Sequence, residues 1–186
     1  MLENLKAYAI SHHIPIISDE GLLLIVDLIK KHHIKHVLEI GTAMGYSALA
    51  ISKEGCFVDT IERDLIMIDL AKENFENYDK NHQITLIEAN ALDYEGPLKT
   101  YDLIFIDGAK AQYQKFFEKY ERYLSNHGLI VCDNLNFHHL DIKKVNRNTR
   151  QLLNKLSLFK SYLTNHPTFQ TTFYDIGDGM SVSKRK

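Results

Sequence analysis

Apolar residues at Leu2, Leu5 and Ala9 fall on one helical face, which predicts a short helix ending before Pro15. Ser18 suits an N-cap, with Asp19 and Glu20 in the first turn of a second helix that runs to about Lys31. His32 and His33 then sit at its C-terminal end. Beyond them the pattern changes to short apolar runs separated by amphipathic stretches. His36–Ile40, Phe57–Ile61, Ile84–Glu88, Leu103–Ile106 and Leu129–Cys132 read as strands. Ser47–Lys53, Leu65–Asn77 and Gln112–Leu124 read as helices between them. Leu152, Leu156, Phe159 and Leu163 repeat at helical spacing, predicting a long helix over Asp141–Asn165, stopped by Pro167. Phe169–Ile176 and Met180–Lys184 alternate around Gly177-Asp178-Gly179, the pattern of a β-hairpin.

Strands alternating with helices imply an α/β fold: a doubly wound, mostly parallel sheet covered on both faces, ending in an antiparallel hairpin. No repeat or linker interrupts the 186 residues, so one domain is expected over 1–186. Open sheets of this class bind ligands at the carboxyl ends of their strands. The residue after each strand is therefore where chemistry is sought.

Composition narrows the partners. Lys and Arg number 22 against 24 Asp and Glu, a formal charge of -2, which excludes a globally basic nucleic-acid binder and leaves room for a local basic patch. Cys56 and Cys132 make no disulfide framework, and no CxxC pair suggests zinc. The first ten residues carry Glu3 and Lys6 and do not read as a signal peptide. The most apolar run, Leu22–Ile29, contains Asp27 and falls far short of the ~20 residues that span a bilayer. A soluble, cytoplasmic protein without a membrane partner is expected.

The first strand runs into Gly41-Thr-Ala-Met-Gly45, a G-x-x-x-G spacing that differs from the G-x-G-x-x-G of a dinucleotide site. Glu39 adds a negative charge suited to a ligand ammonium group. Glu62 ends the second strand, 21 residues after Gly41, where an acid in this fold accepts hydrogen bonds from a ribose diol. Ala89-Asn90-Ala91 after the third strand leaves room for a flat ring. Asp107 ends the fourth strand, and Asp133 and Asn134 end the fifth. Three hard oxygen donors suit Mg2+ and suit zinc poorly. Each of these residues also has an ordinary structural use, as a packed glycine, a surface acid or a helix cap. It is their joint occurrence that favours a ligand site.

Val37-Leu-Glu-Ile-Gly-Thr-Ala-Met-Gly-Tyr-Ser47, Ile106-Asp-Gly-Ala-Lys110, Cys132-Asp-Asn134 and Gly177-Asp-Gly-Met180 together resemble the metal-dependent class I S-adenosylmethionine (SAM) O-methyltransferases. That family includes the catechol and caffeoyl-coenzyme A O-methyltransferases. The resemblance covers nearly all of the chain from Ile14. It implies a seven-stranded sheet, SAM as donor and Mg2+ or Mn2+ as metal. By the same resemblance Ile17 closes the SAM pocket, Glu39, Gly41 and Ser47 line its methionine end, Glu62 holds the ribose and Ala91 the adenine edge. Asp107, Asp133 and Asn134 would bind the metal, Asp107 also lying near the donor, and Lys110 takes the place of the catalytic lysine. The tail, Leu163-Thr-Asn-His-Pro167 with Gly177–Ser181, looks most like the bacterial branch that methylates 5-hydroxyuridine in tRNA. That implies tRNA as partner, and a homodimer is expected.

The expected reaction is methyl transfer to a hydroxyl whose neighbouring oxygen completes a bidentate grip on the metal. Lys143, Lys144, Arg147 and Arg150 form a basic stretch, with 143, 147 and 150 placed on one helix face as candidate RNA contacts. His138 and His139 are candidate substrate contacts, and Tyr113 and Phe137 candidate stacking residues. The competing readings are a methyltransferase of a small catechol-like molecule and, in another class, a non-catalytic nucleotide-binding protein.

Overall fold

The computed structural model describes residues 1–136 and 146–186. Helix α1 (Leu2–Ser11) and helix α2 (Asp19–His32) precede an alternating series: β1 (His36–Ile40), α3 (Tyr46–Lys53), β2 (Phe57–Glu62), α4 (Leu65–Tyr78), β3 (Ile84–Glu88), β4 (Tyr101–Ile106), α5 (Tyr113–Tyr120), β5 (Leu124–Cys132) and α6 (Arg147–Thr164). The hairpin strands β6 (Phe169–Tyr174) and β7 (Met180–Arg185) close the chain. The sheet has seven strands in the order β3-β2-β1-β4-β5-β7-β6. The first five are parallel; β7 runs antiparallel to β5, and β6 to β7. Ser18 caps α2 by accepting the Gly21 N–H, as expected, and His33, at its C-terminal end, takes the left-handed conformation.

Alternating strand residues feed two cores. Val37, Val58, Leu103, Phe105, Leu129 and Val131 pack on one face, beneath α1, α2 and α3. Leu38, Ile40, Ile61, Ile104, Ile106 and Ile130 pack on the other, beneath the aromatic and aliphatic stripes of α5 and α6. The strands are apolar on both faces because both are covered, the signature of a buried parallel sheet.

Polar residues fix the lower, amino-terminal edge. The Asp102 carboxylate accepts the backbone N–H groups of Lys35 and His36 at 3.0 and 3.1 Å, which holds β1 level with β4. The Tyr101 hydroxyl donates to Asp59 at 2.7 Å.

Two helix boundaries differ from the sequence pattern by several residues. The stretch expected as a helix to Leu124 ends at Tyr120, passes through a 3-10 turn (Glu121–Tyr123), and Leu124 already pairs with Tyr101 in the sheet. Leu124 lies four residues after Tyr120, so its burial continued the helical period by coincidence. The strand β5 therefore begins five residues earlier than its apolar run. The last helix begins at Arg147, not Asp141, because Asn146 is extended and its side chain caps the helix through the Thr149 N–H at 2.9 Å. The rest of that expectation, over 141–145, lies outside the described residues.

Candidate active site

The strand order reverses direction between β1 and β4, and a cleft of about 760 Å3 opens there along the carboxyl ends of the sheet. Its lining includes Ile17, Gly41, Ser47, Glu62, Ala91 and Asp107, together with Lys110 and Asn134. These are residues from six separate segments, five of them at or after the ends of parallel strands.

The end of β1 is shaped by two glycines. Gly41 has φ +100°, and a Cβ there would lie 2.7 Å from the Asp107 carbonyl oxygen, so only glycine lets the β1 loop close on the end of β4. Gly45 has φ +85° and its missing Cβ makes way for the Phe75 ring of α4. Glu62 holds the same loop from the neighbouring strand. One carboxylate oxygen accepts the Ala43 N–H at 2.9 Å, and the other accepts those of Arg63 and Asp64 at 2.8 and 2.9 Å. A carboxylate has about four acceptor sites, so one remains for a ribose hydroxyl.

Glu39 does not reach the cleft wall. It is fully buried behind Ser47, whose hydroxyl donates to Oε1 at 2.5 Å, while Thr60 donates to Oε2 at 2.5 Å. Burial pushes its carboxyl up to about 7; the two hydroxyl bonds oppose this, and the charge of Glu62 adds to it. Glu39, expected at the methionine end, thus stands behind Ser47, which lines the cleft.

At the β4–β5 end the acids converge. The Asn134 amide nitrogen donates to Asp107 Oδ1 at 2.9 Å, and Lys110 Nζ donates to Asn134 Oδ1 at 2.8 Å. Asp133 is buried and accepts the Asn134 N–H at 2.6 Å. Asn134 takes the left-handed conformation, φ +59°, to present its side chain between them. Burial raises the Asp107 carboxyl well above the usual carboxylate range, the charges of Asp133 and Glu39 raise it further, and Lys110 opposes them. Burial likewise pushes Asp133 up to about 6, with Asp178 adding its charge. The donors are hard oxygens, from two carboxyl groups and one amide. Among the described residues no group of three His, Cys, Asp or Glu side chains is disposed around a metal site, so any cation here relies on the Asn134 amide.

The β3 end is small and quiet. Ala91 has its carbonyl tied to the Tyr120 hydroxyl at 2.7 Å, leaving a flat wall beside it. Tyr113, expected as a stacking residue, is buried instead, edge-on to Phe159 at 5.8 Å between centroids. Arg147 and Arg150 are exposed, one turn apart on α6. Lys143 falls outside the described residues, as do Lys144, Phe137, His138 and His139. Arg147 and Arg150 are the described members of the expected face, both in the first turn of α6.

Several cleft residues escaped the sequence reading. Thr42 and Arg63 line the wall beside residues that were singled out, and Phe116 enters from α5. Asp178 enters from the β6–β7 turn, which is anchored by the Leu135 and Asn136 N–H groups donating to the Gly179 and Asp178 carbonyls. Its signal was present in Gly177-Asp178-Gly179. Thr60 also carried one, a polar residue in an apolar strand two positions before Glu62.

The O-methyltransferase family model matches residues 1–186. The chain belongs to the O-methyltransferase family. This methyltransferase is 30% identical over 179 residues to the tapetum-specific methyltransferase 1 of Arabidopsis thaliana, covering 90% of this chain and 76% of that protein. It is 31% identical over 110 residues to a catechol O-methyltransferase of Niastella koreensis, covering 54% and 49% of the two chains. Among solved structures, a Staphylococcus aureus protein provisionally named a caffeoyl-CoA O-methyltransferase superposes with a TM-score of 0.94 at 39% identity, over 100% of this chain and 92% of that one. Podospora anserina methyltransferase PaMTH1, solved with S-adenosylhomocysteine, gives 0.79 at 26% identity over 92% and 80%. The methyltransferase is thus a SAM-dependent O-methyltransferase of the caffeoyl-CoA and catechol type. That sets aside the non-catalytic nucleotide binder. Among the described residues no helix is long and apolar enough to cross a membrane.

Proposed function

We propose that this methyltransferase transfers the SAM methyl group to one hydroxyl of a small catechol-like acceptor, assisted by Mg2+ or Mn2+. The observation that carries the reading is the convergence of Asp107, Asn134 and Lys110 at one end of the cleft that Glu62 and Ala91 line at the other, with the buried Asp133 accepting the Asn134 N–H and its charge felt at Asp107.

The donor set fits a hard divalent ion. Asp107, whose proton affinity burial and the charge of Asp133 raise, gains from a nearby cation, and the two acids and one amide leave coordination positions for two vicinal oxygens of an acceptor. When bound, the metal lowers the pKa of a coordinated hydroxyl. The chain's own residues do the rest. Sheet order sorts the donor: the base belongs at the Ala91 end over β3, the ribose at Glu62 over β2, and the methionyl group at Gly41 and Ser47 over β1. The acceptor then lies over β4 and β5, with the methyl group directed between them. Lys110 is assigned the proton of the acceptor hydroxyl. Holding donor and acceptor in line supplies most of the acceleration, since the sulfonium donor is already activated.

A second reading, 5-hydroxyuridine of tRNA as acceptor, draws on a specific observation. Arg147 and Arg150 are exposed on α6, and α6 packs against the 3-10 turn that begins at Lys110. The 5-hydroxyl beside the 4-carbonyl offers the same pair of oxygens. The test presents purified enzyme and SAM with simple catechols and, separately, with tRNA bearing the hydroxylated base. Methylation of the catechols, abolished by EDTA and restored by Mg2+, is expected. Methylation of the tRNA alone, falling steeply as salt rises, would replace the first reading with the second. Glu62→Ala should weaken SAM binding by about 1–3 kcal/mol in calorimetry, the cost of leaving hydrogen-bonding groups unpaired; unchanged affinity refutes the ribose assignment.

A further inference from the structure

Behind the β1 loop lies a closed chain of polar groups that no cleft residue explains alone. Glu39 and Thr60 are directly opposed on β1 and β2, and both are fully buried. Thr60 Oγ1 donates to Glu39 Oε2 at 2.5 Å, and Thr60 Oγ1 also lies 2.6 Å from Thr42 Oγ1. A hydroxyl has one proton, so with Thr60 donating to the carboxylate the second bond runs from Thr42 to Thr60. Ser47 donates to the other carboxylate oxygen at 2.5 Å. The order is therefore Thr42 to Thr60 to Glu39, with Ser47 meeting it from α3. Thr42 and Ser47 are the two members on the cleft wall, and they flank the segment where the methionyl group is placed.

We infer that Thr60, acting through Thr42 and Glu39, is a positioning residue for the methionyl half of SAM. It holds the two cleft-wall hydroxyls in one orientation, and it ties the loop after Gly41 to the neighbouring strand. The position is out of reach of the ligand and Val would fill the same space, so the hydroxyl itself carries the role. Buried chains of this kind are strict, because one missing member leaves its neighbours unpaired in a low-dielectric interior.

The inference rests on the placement of SAM argued above, and the experiment separates the two. Calorimetry is run with SAM and with 5′-methylthioadenosine, which has the base and ribose and lacks the amino-acid end. Thr60→Val should lower SAM affinity about tenfold, the effect of one unpaired buried group, and change 5′-methylthioadenosine affinity less than about twofold. Thr60→Ser, which keeps the hydroxyl, should restore SAM binding. Thr42→Val should repeat the loss, and it serves as the test if Thr60→Val does not fold by circular dichroism. Parallel losses for both ligands, an unchanged SAM affinity, or failure of Thr60→Ser to rescue overturns the inference. Glu62→Ala is the control for placement: it should weaken both ligands, and if it weakens neither, the placement of SAM itself fails whatever Thr60 does.

Discussion

A single buried carboxylate shows how this site trades stability for recognition. Glu39 is fully buried and pushed up to about 7 from an ordinary value of 4.5, chiefly by burial. The folded chain therefore binds its proton more tightly than the unfolded chain does. The stability this contributes is complete below the unfolded value and is lost as pH rises through about 7. The loss approaches about 3 kcal/mol, at about 1.4 kcal/mol per pH unit. Glu39→Gln removes the titration while keeping the shape. Urea unfolding of the ligand-free protein should show the variant close to the parent at pH 5 and more stable by up to about 3 kcal/mol at pH 8. SAM affinity should fall in the same variant. A stability difference that does not vary with pH would remove burial of the charge as its cause. The sequence placed Glu39 correctly at the end of a strand. It did not show that α3 would return Ser47 over it, because that depends on where the helix packs.

At the scale of elements, the strand ends were legible because the β/α alternation fixes where a loop must emerge. Gly41, Glu62, Asp107 and Asn134 follow from that rule alone, and all line the cleft. Boundaries were less legible wherever a polar side chain or a tight turn sets them. Leu124 satisfies a helical period and a strand pairing equally well, and only its partner Tyr101 on β4 decides between them. Asn146 stops a helix that the apolar spacing would have carried back to Asp141. The junction of β1 with α3 gives a direct test of element packing. Gly45→Ala forces a Cβ to within 2.5 Å of the Phe75 ring at a positive φ. It should destabilise the protein by about 1–3 kcal/mol, the range for overpacking and for backbone strain. Gly45→Ala combined with Phe75→Leu should recover the steric part and leave the strain from φ. A single substitution with an unchanged urea midpoint would show that α4 moves aside freely.

Across the whole molecule, the topology orders the cleft by chemistry. Small residues lie at β3, an acid bonded to backbone N–H groups at β2, a glycine and hydroxyls at β1, and Asp107 with Asn134 at β4 and β5. The negative charge is therefore concentrated where the acceptor is placed, and a chain of formal charge -2 has no overall field to offset it. Lys110 is the cleft cation that the structure seats on these donors, 2.8 Å from Asn134 Oδ1. A divalent ion held by the same donors adds to the stability of the folded state only, since the unfolded chain does not bring Asp107 and Asp133 together. At a hundredfold excess over its dissociation constant the gain is about 2.7 kcal/mol. For a chain of this length that corresponds to a rise in Tm of roughly 5–10 °C, at about 2–4 °C per kcal/mol. Thermal melts with increasing MgCl2 should show this rise in the ligand-free protein, and EDTA should reverse it. Asp133→Ala should abolish the rise, whereas Glu62→Ala, at the end of β2 away from these acids, should retain it. An equal rise in Asp133→Ala would mean that Mg2+ acts elsewhere on the surface, and the metal would then be separated from the acids at the ends of β4 and β5.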